Sequence, residues 1–468
     1  MRSTVTLVLA ALLCGCAALP SPTTPVPALP AQWHAALPHD GRLADLRGWW
    51  QQFDDPLLAE LVAAAQDASP TIASARSRIE QARAARVGAG AALGPSLQAQ
   101  ATLSRGREDF GLPIATSGAS GLQASWEIDV FGGRRAAADA TQARLEGARA
   151  LWHDARVSVA AEVATSYVGL RACEALLAQT RADAASRGET ARLTELSARS
   201  GFQSPANAAL SRATAAQGQG NATQQHAQCE LAVKSLVALT AIAEPELRAR
   251  LGERTARLPQ PAQIAVEAVP GQALAQRPDL FSAARDVEAA AADTAEAQAQ
   301  RLPRVTLNGS LSAARAKTSS GSTDGTLWSF GPLAVSLPIF DGGARRANVE
   351  AARARYDEAA SVYRARLRVA VQEVEQALVT LQSTADRTHD AQLAAEGFHA
   401  SYVATEMRQR GGLASLFELE DARRSDLQAQ NALIDLQRER IAAWISLYRA
   451  LGGGWRADAL QIAQGATR

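Results

Sequence analysis

A disulfide is the chemistry this sequence offers most plainly. Cys173 and Cys229 are the only cysteines beyond the N-terminal pair Cys14 and Cys16. Each lies 28 residues from Gly201 (201 − 173 and 229 − 201). If the chain folds back at Gly201 as two antiparallel helices, equal distance from the bend sets the thiols side by side. An exported chain meets an oxidising compartment, so the spacing predicts a Cys173–Cys229 bridge about 42 Å from the bend. The six histidines, His34, His39, His153, His226, His389 and His399, have no metal-ligand spacing. His389 and His399 share a helix face but stand about 15 Å apart along it. No Gly-x-Ser-x-Gly elbow, phosphate-binding loop or His-Glu-x-x-His is present, and Gly452 to Gly454 close a helical pattern rather than opening one. The expectation is therefore no catalysis, no metal and no cofactor. A formal net charge of +1 over 468 residues gives no electrostatic reason to bind nucleic acid.

The elements that would place those cysteines are long. Helical patterning runs from Arg134 to Arg199 and again from Ala344 to Arg410. At 1.5 Å per residue, each would reach roughly 100 Å. In the second, Tyr356, Ala360, Tyr363, Leu367, Ala370, Val374, Ala377 and Leu381 recur at alternating spacings of four and three, a coiled-coil seam. Glycine ends each helix, Gly201 in RSGFQSP and Gly411-Gly412 in RQRGGLASLF, and Ser204 and Ser415 are natural caps for returning helices. The returns run from Pro205 to about Ala243 and from Ser415 to about Leu451. Aromatics are only 5% of the chain while the apolar set is 47%, which suits closely packed Ala-rich helices.

Between the helices lie alternating stretches. In GLQASWEIDVFGGRR, Leu122, Ala124, Trp126, Ile128 and Val130 alternate with polar residues; in LWSFGPLAVSLPIFDGGARR, Leu333, Val335, Leu337 and Ile339 do the same. Period two with one apolar face over about ten residues is what a membrane-spanning strand needs. Residues Leu97 to Leu103 and Val305 to Leu311 supply two more strands, with loops expected over 105–120 and 317–326. The layout repeats at an offset of about 208 residues, with Pro70 against Pro278. A single helical stretch is expected from Leu58 to Ala92. Four strands cannot close a barrel, and an open edge in lipid leaves unpaired backbone groups at several kcal/mol each, so copies must assemble. The N-terminus, with Met1-Arg2 and an apolar run from Val5 to Leu13, reads as a secretory signal, and Leu13-Cys14-Gly15-Cys16 resembles a lipobox with Cys16 as the lipidated residue. Pro20 to Pro38 reads as an extended tether.

With WWQQFDDPLLAEL, RPDL at Arg277 to Leu280, both hairpins, the Gly-Gly turns and YRALGGGW at Tyr448 to Trp455, the chain resembles the TolC-like outer-membrane efflux channels, NodT-type lipoproteins, over nearly its whole mature length. The resemblance implies a homotrimer in the outer membrane, with a twelve-stranded β-barrel continued by an α-helical coiled-coil barrel through the periplasm. It implies a passive exit duct, docked on a periplasmic adaptor that serves an inner-membrane transporter. Carried over by motif, Gly201 and Ser204, and Gly411, Gly412 and Ser415, are adaptor-docking tips, while Phe417, Glu420 and Asp421 narrow the pore. Arg408 or Arg410 would supply the cross-helix links of a closed tip. Asn207 departs from the pattern, standing where an acidic residue is usual.

The implied organisation is a signal peptide over 1–15, a lipid-anchored tether over 16–40, an equatorial and helical lead-in over 41–96, and a first β-hairpin over 97–131. Next come a first helical hairpin over 132–250 and a linker with the opening helix of the second repeat over 251–303. A second β-hairpin over 304–340, a second helical hairpin over 341–455 and a tail over 456–468 complete it. The main alternative is a periplasmic adaptor lipoprotein, which would carry one helical hairpin rather than two; a soluble helical scaffold would leave the strand alternation unexplained.

Overall fold

The structure is a computed structural model. It describes residues 46–107, 113–260 and 274–455; the signal sequence, Cys16, the tether and the tail lie outside these. A 3₁₀ turn (Leu46–Phe53) leads to α1 (Pro56–Ala68) and α2 (Pro70–Ala91), then β1 (Ser96–Gly106), β2 (Ala115–Ile128), α3 (Gly133–Arg199), α4 (Pro205–Thr240) and α5 (Glu244–Gly252). The second repeat supplies α6 (Pro278–Ala299), β3 (Arg304–Thr318), β4 (Gly321–Ser336), α7 (Ala344–Arg410) and α8 (Leu416–Ala450), closed by a 3₁₀ turn at Gly452–Gly454. The two long helices have 67 residues each, and α2 and α6 have 22 each. The two repeats therefore match in these helix lengths.

Several elements differ from the sequence expectation. The single helix over 58–92 is two, because Pro70 lacks an N–H and pushes Ser69 into an extended conformation (ψ 121°). The returning helix α4 ends at Thr240, where Ala241 turns left-handed (φ 54°), so the stretch to residue 250 holds a separate helix, α5. The expected loops over 105–120 and 317–326 are mostly strand among the described residues, 108–112 lying outside these: β1 pairs with β2 as far as Gly106↔Ala115, and β3 with β4 as far as Thr318↔Gly321. Their Gly and Ser residues hide the alternation but still offer full backbone donors and acceptors to the ladder. At the other end β4 stops at Ser336, before Leu337 and Ile339, because Pro338 cannot donate to a ladder.

The chain divides into two compact units, each built from both repeats. The first, residues 76–150 and 280–366, holds the sheet, in the order β1-β2-β3-β4 and antiparallel throughout. In it α3 and α6 approach closely: a Cβ on Gly147 would stand 3.2 Å from Ser282 Oγ, and Arg144 pairs with Asp293.

The second unit, residues 46–75, 151–279 and 367–455, holds the main core. Trp49, Phe53, Leu58 and Leu61 pack there with Val163, Tyr167 and Leu170 of α3, Val374 and Leu378 of α7, and Trp444 and Leu447 of α8. The coiled-coil seam is buried through Leu367, Ala370, Val374, Ala377 and Leu381. Fully burying one such Leu or Val stabilises by about 2 kcal/mol. Several polar groups inside are bonded to one another: Asp55 accepts from the Tyr167 hydroxyl at 2.7 Å, and Arg171 donates to that same hydroxyl at 3.0 Å and to Leu251 O at 3.0 Å. The RPDL and YRALGGGW motifs meet here. Arg277, 7% exposed, donates to both oxygens of Asp279, to Glu373 at 2.7 Å and to Ala450 O at 3.0 Å. Gly452 sits at φ 75°, and a Cβ there would run into Gln276 O, so both conformation and contact demand glycine.

Candidate functional site: a sheet with two faces and two helical tips

The sheet sorts its side chains by chemistry. Register places Ala99, Leu122, Leu311 and Trp328 in one row, Leu97, Ala124, Gly309 and Phe330 in the next, then Trp126, Leu307 and Leu333, and finally Ile128, Val305 and Val335. Directly opposed residues and their second neighbours share a face. That face is apolar and open: Leu97, Leu103, Trp328, Phe330 and Val335 are all more than 60% exposed. In water such a surface would drive aggregation; in lipid it is solvated.

The opposite face is polar and internally bonded. Ser104 and Ser117 share a hydrogen bond at 2.7 Å, Ser310 and Ser329 at 2.8 Å, and Ser125 donates to Asn308 at 3.0 Å. Gln98, Gln100 and Gln123 add neutral polar groups. Such a face can line water, and β1 and β4 each leave one edge unpaired within the chain.

Where strand becomes helix, both repeats use an aspartate. Asp129 accepts from the backbone N–H of Arg134 and Arg135, and Asp341 from those of Gly343 and Arg345. The Arg345 and Gly343 amides hold the Asp341 carboxyl below its ordinary range. Beside Asp129, Arg134 donates to Glu127 at 2.8 Å, and that hydrogen bond raises the guanidinium above its usual value. These carboxylates satisfy helix N-termini and oppose the positive end of the dipole.

At the far ends of the long helices the two tips have one geometry. Gly201 (φ 80°) and Gly412 (φ 75°) adopt left-handed conformations, whereas Gly411 does not. The next residue closes each helix: Phe202 N–H donates to Ser197 O at 2.9 Å, and Leu413 N–H to Arg408 O at 2.7 Å. Ser204 Oγ then accepts from Asn207 N–H at 3.1 Å, and Ser415 Oγ from Glu418 N–H at 3.2 Å. The tips present apolar side chains to solvent, with Phe202 83% and Leu413 76% exposed. Asn207 donates to Gln203 at 2.9 Å, so the first tip is neutral where the second has Glu418. Behind the first tip, Cys173 and Cys229 form a disulfide joining α3 to α4, with Cα atoms 5.6 Å apart.

The three residues grouped as a pore constriction separate. Phe417 is 72% exposed, and Asp421 is open to solvent with Arg424 3.7 Å away. Glu420 faces the other way and is 7% exposed. Its carboxylate takes Arg187 of α3 at 2.7 Å and Arg423 of its own helix, while Arg423 also donates to Ser186 at 3.0 Å and Thr190 at 3.2 Å. Glu420 therefore lines a helix interface and no lumen: successive residues of a helix are rotated by about 100°, so neighbours Glu420 and Asp421 cannot share a direction. Arg408 of α7 does reach across to α8, standing 3.8 Å from Glu418, whereas Arg410 stays on its own helix, 3.1 Å from Glu406. Links between α3 and α8 are Arg187–Glu420, Arg423–Ser186 and Arg423–Thr190, which no intra-hairpin spacing rule could reveal.

Among the described residues no helix is long and apolar enough to cross a membrane, and no cluster of His, Cys, Asp or Glu could hold a metal. Comparison with known proteins gives the same architecture. The family model for outer membrane efflux proteins matches residues 61–242 and 269–453. The chain is 28% identical over 478 aligned positions to the pyoverdine export outer membrane protein OpmQ of Pseudomonas aeruginosa, with 98% of each chain covered. It is 28% identical to outer membrane protein OprJ of the same organism, covering 96% of this chain and 95% of that one. The solved outer-membrane channel OprN superposes with a TM-score of 0.80 at 27% identity, covering 92% of this chain and 100% of that one. Two helical hairpins, an amphipathic sheet and this match set the adaptor alternative aside: the chain belongs to the outer membrane efflux protein family and is the outer-membrane channel component of an efflux system, reaching into the periplasm.

Proposed function

We propose that three copies of this chain close one twelve-stranded barrel and act as a passive exit duct, without catalysis. The observation that carries the reading is the four-stranded sheet with an apolar face and two unpaired edges, β1 and β4. Each raw edge in lipid would cost several kcal/mol per unpaired group, and joining β1 of one copy to β4 of the next removes that cost. Eight strands enclose only packed side chains, whereas twelve leave a water-filled interior. The neutral Gln, Ser and Asn face suits a wall that tolerates cargo rather than selecting it.

Cys16 carries the lipid anchor in this reading, and the Gly201–Ser204 and Gly411–Ser415 tips receive a periplasmic adaptor that links the duct to an inner-membrane transporter. Exposed Phe202 and Leu413 supply the apolar contact. Phe417 and Asp421 narrow the periplasmic opening, three carboxylates favouring cations and repelling one another there. OpmQ exports pyoverdine; this duct passes small metabolites of the same kind, chosen by the transporter. Purified full-length protein in lipid nanodiscs should have the mass of three chains and conduct ions in a planar bilayer. Asp421→Asn should then reduce cation preference. A stable single-chain species that conducts nothing would overturn the reading.

A further inference from the structure

The apolar face of the sheet ends abruptly at the loop end, and the rows beyond it are basic. The row beyond Ala101, Ser120, Ala313 and Thr326 contains Leu103, Gly118, Arg315 and Asp324, and the row after that contains Arg105, Thr116, Lys317 and Ser322. By register, Arg105, Arg315 and Lys317 share the face of Leu122, Leu311 and Trp328. All three are exposed. Among the described residues none of them has a hydrogen-bond or ion-pair partner, although Asp324 sits opposite Arg315. Among the described residues these two rows therefore carry three basic groups against one acid.

Its height in the membrane is set by the ladder. The rows from Gly118 to Ile128 span ten residues of β2 (128 − 118). At about 3.4 Å per residue and a tilt of about 40°, they cover roughly 26 Å of bilayer. That matches the roughly 25 Å apolar band of outer-membrane barrels. The row of Arg315 and Asp324 thus marks the edge of the hydrocarbon, and the Arg105–Lys317 row falls just outside it. It lies at the end remote from the helices, since α2, α3, α6 and α7 all join the opposite strand ends. With the helices in the periplasm, that is the outer leaflet. Arg105 and Lys317 are two strands apart, about 10 Å, with Thr116 between them in the same row. A charged side chain facing hydrocarbon is costly, whereas one at headgroup level meets anionic oxygens.

We infer that Arg105, Arg315 and Lys317 form an outward-facing site for the phosphate groups of a phosphorylated glycolipid in the outer leaflet. Arginine supplies a planar, two-pronged donor to phosphate, and lysine a compact charge that reaches past Thr116. Asp324 sets a limit on affinity by competing for Arg315.

The test uses the full-length, detergent-purified assembly stripped of lipid and incubated with bis-phosphorylated lipid A, with bound lipid read by native mass spectrometry. The Arg105→Gln, Arg315→Gln, Lys317→Gln triple variant should retain about tenfold less, and the parent should bind dephosphorylated lipid A no better than that variant. Asp324→Asn should raise retention of the phosphorylated form, a gain that misfolding cannot imitate. Unchanged conductance of the triple variant would show that the channel itself is intact. Equal retention by parent and triple variant, or equal binding of the dephosphorylated lipid by the parent, would overturn the site. Should the triple variant fail to assemble, the dephosphorylated-lipid arm on the parent and the Asp324→Asn gain decide the matter.

Discussion

The first helical hairpin is held by a covalent bond, and the second is not. Position for position (an offset of 211, from Gly201 to Gly412), Cys173 corresponds to Thr384 and Cys229 to Arg440. Thr384 is fully buried and turns its hydroxyl back to Leu381 O at 2.9 Å. Nearby, Arg387 of α7 reaches Glu439 of α8 at 2.8 Å, an exposed pair. Near the tips the two hairpins differ again: Glu420 anchors α8 to α3 through buried charge, while its counterpart in α4 is Ala209. Equal length and equal caps thus accompany unequal cross-links. One arm is stapled and has neutral Asn207 after its cap; the other has Glu418 there and depends on a buried ion pair.

The sharpest way to break that contrast is to remove the staple. Closing a loop across a sequence separation of 56 residues is worth about 4 kcal/mol on chain-entropy grounds. Cys173→Ala with Cys229→Ala should lower stability by up to that amount, and hydrogen exchange should rise in α3 and α4 while α7 and α8 stay protected. Next comes Glu420→Ala, which removes the carboxylate shared by Arg187 and Arg423 in a nearly closed interface, leaving Arg187 only Asp183 and Arg423 only the Ser186 and Thr190 hydroxyls. Breaking such a pair costs about 3 kcal/mol, with faster exchange at the start of α8. The neutral mirror change, Ala209→Gly, should leave that end of α8 untouched.

A smaller effect is set by acid. His153 of α3, packed edge-on to Trp152, corresponds to the exposed Arg364 of α7. Burial, then the nearby Arg156 charge, pulls its imidazole from 6.5 down to about 4. The unfolded chain therefore binds this proton first. Stability from neutral His153 is complete above pH 6.5 and fades as pH falls towards 4. Allowing for solvent screening of a partly exposed ring, about 1 kcal/mol should be lost across that window. His153→Phe should flatten that part of the pH–stability curve. Smallest are the caps: Ser204→Ala and Ser415→Ala should each cost about 1 kcal/mol, and should cost the same, because the two tips share a geometry.

Much of this was written in local chemistry. Gly201 and Ser204, like Gly412 and Ser415, mark helix ends because the left-handed turn and the cap are single-residue requirements. Alternation in Leu122 to Ile128 exposed the two-faced strand for the same reason. The family motifs were visible too, but not what they do: RPDL and YRALGGGW begin 171 residues apart (448 − 277), and only folding brings Arg277 against Ala450 O. Strand length was hidden where Gly118 and Ser120 replaced apolar residues, since the ladder needs backbone and the eye needs side chains. Glu420 escaped because two adjacent acids look alike in a string, and only a partner on another helix separates them.

The bare outer margins of β1 and β4 also bear on how such a molecule is born. A lone subunit has no comfortable resting place: water rejects its greasy face, and hydrocarbon rejects its naked amides. Insertion and ring closure must therefore occur as one concerted event, and its rate should climb steeply with the local supply of newly secreted chains.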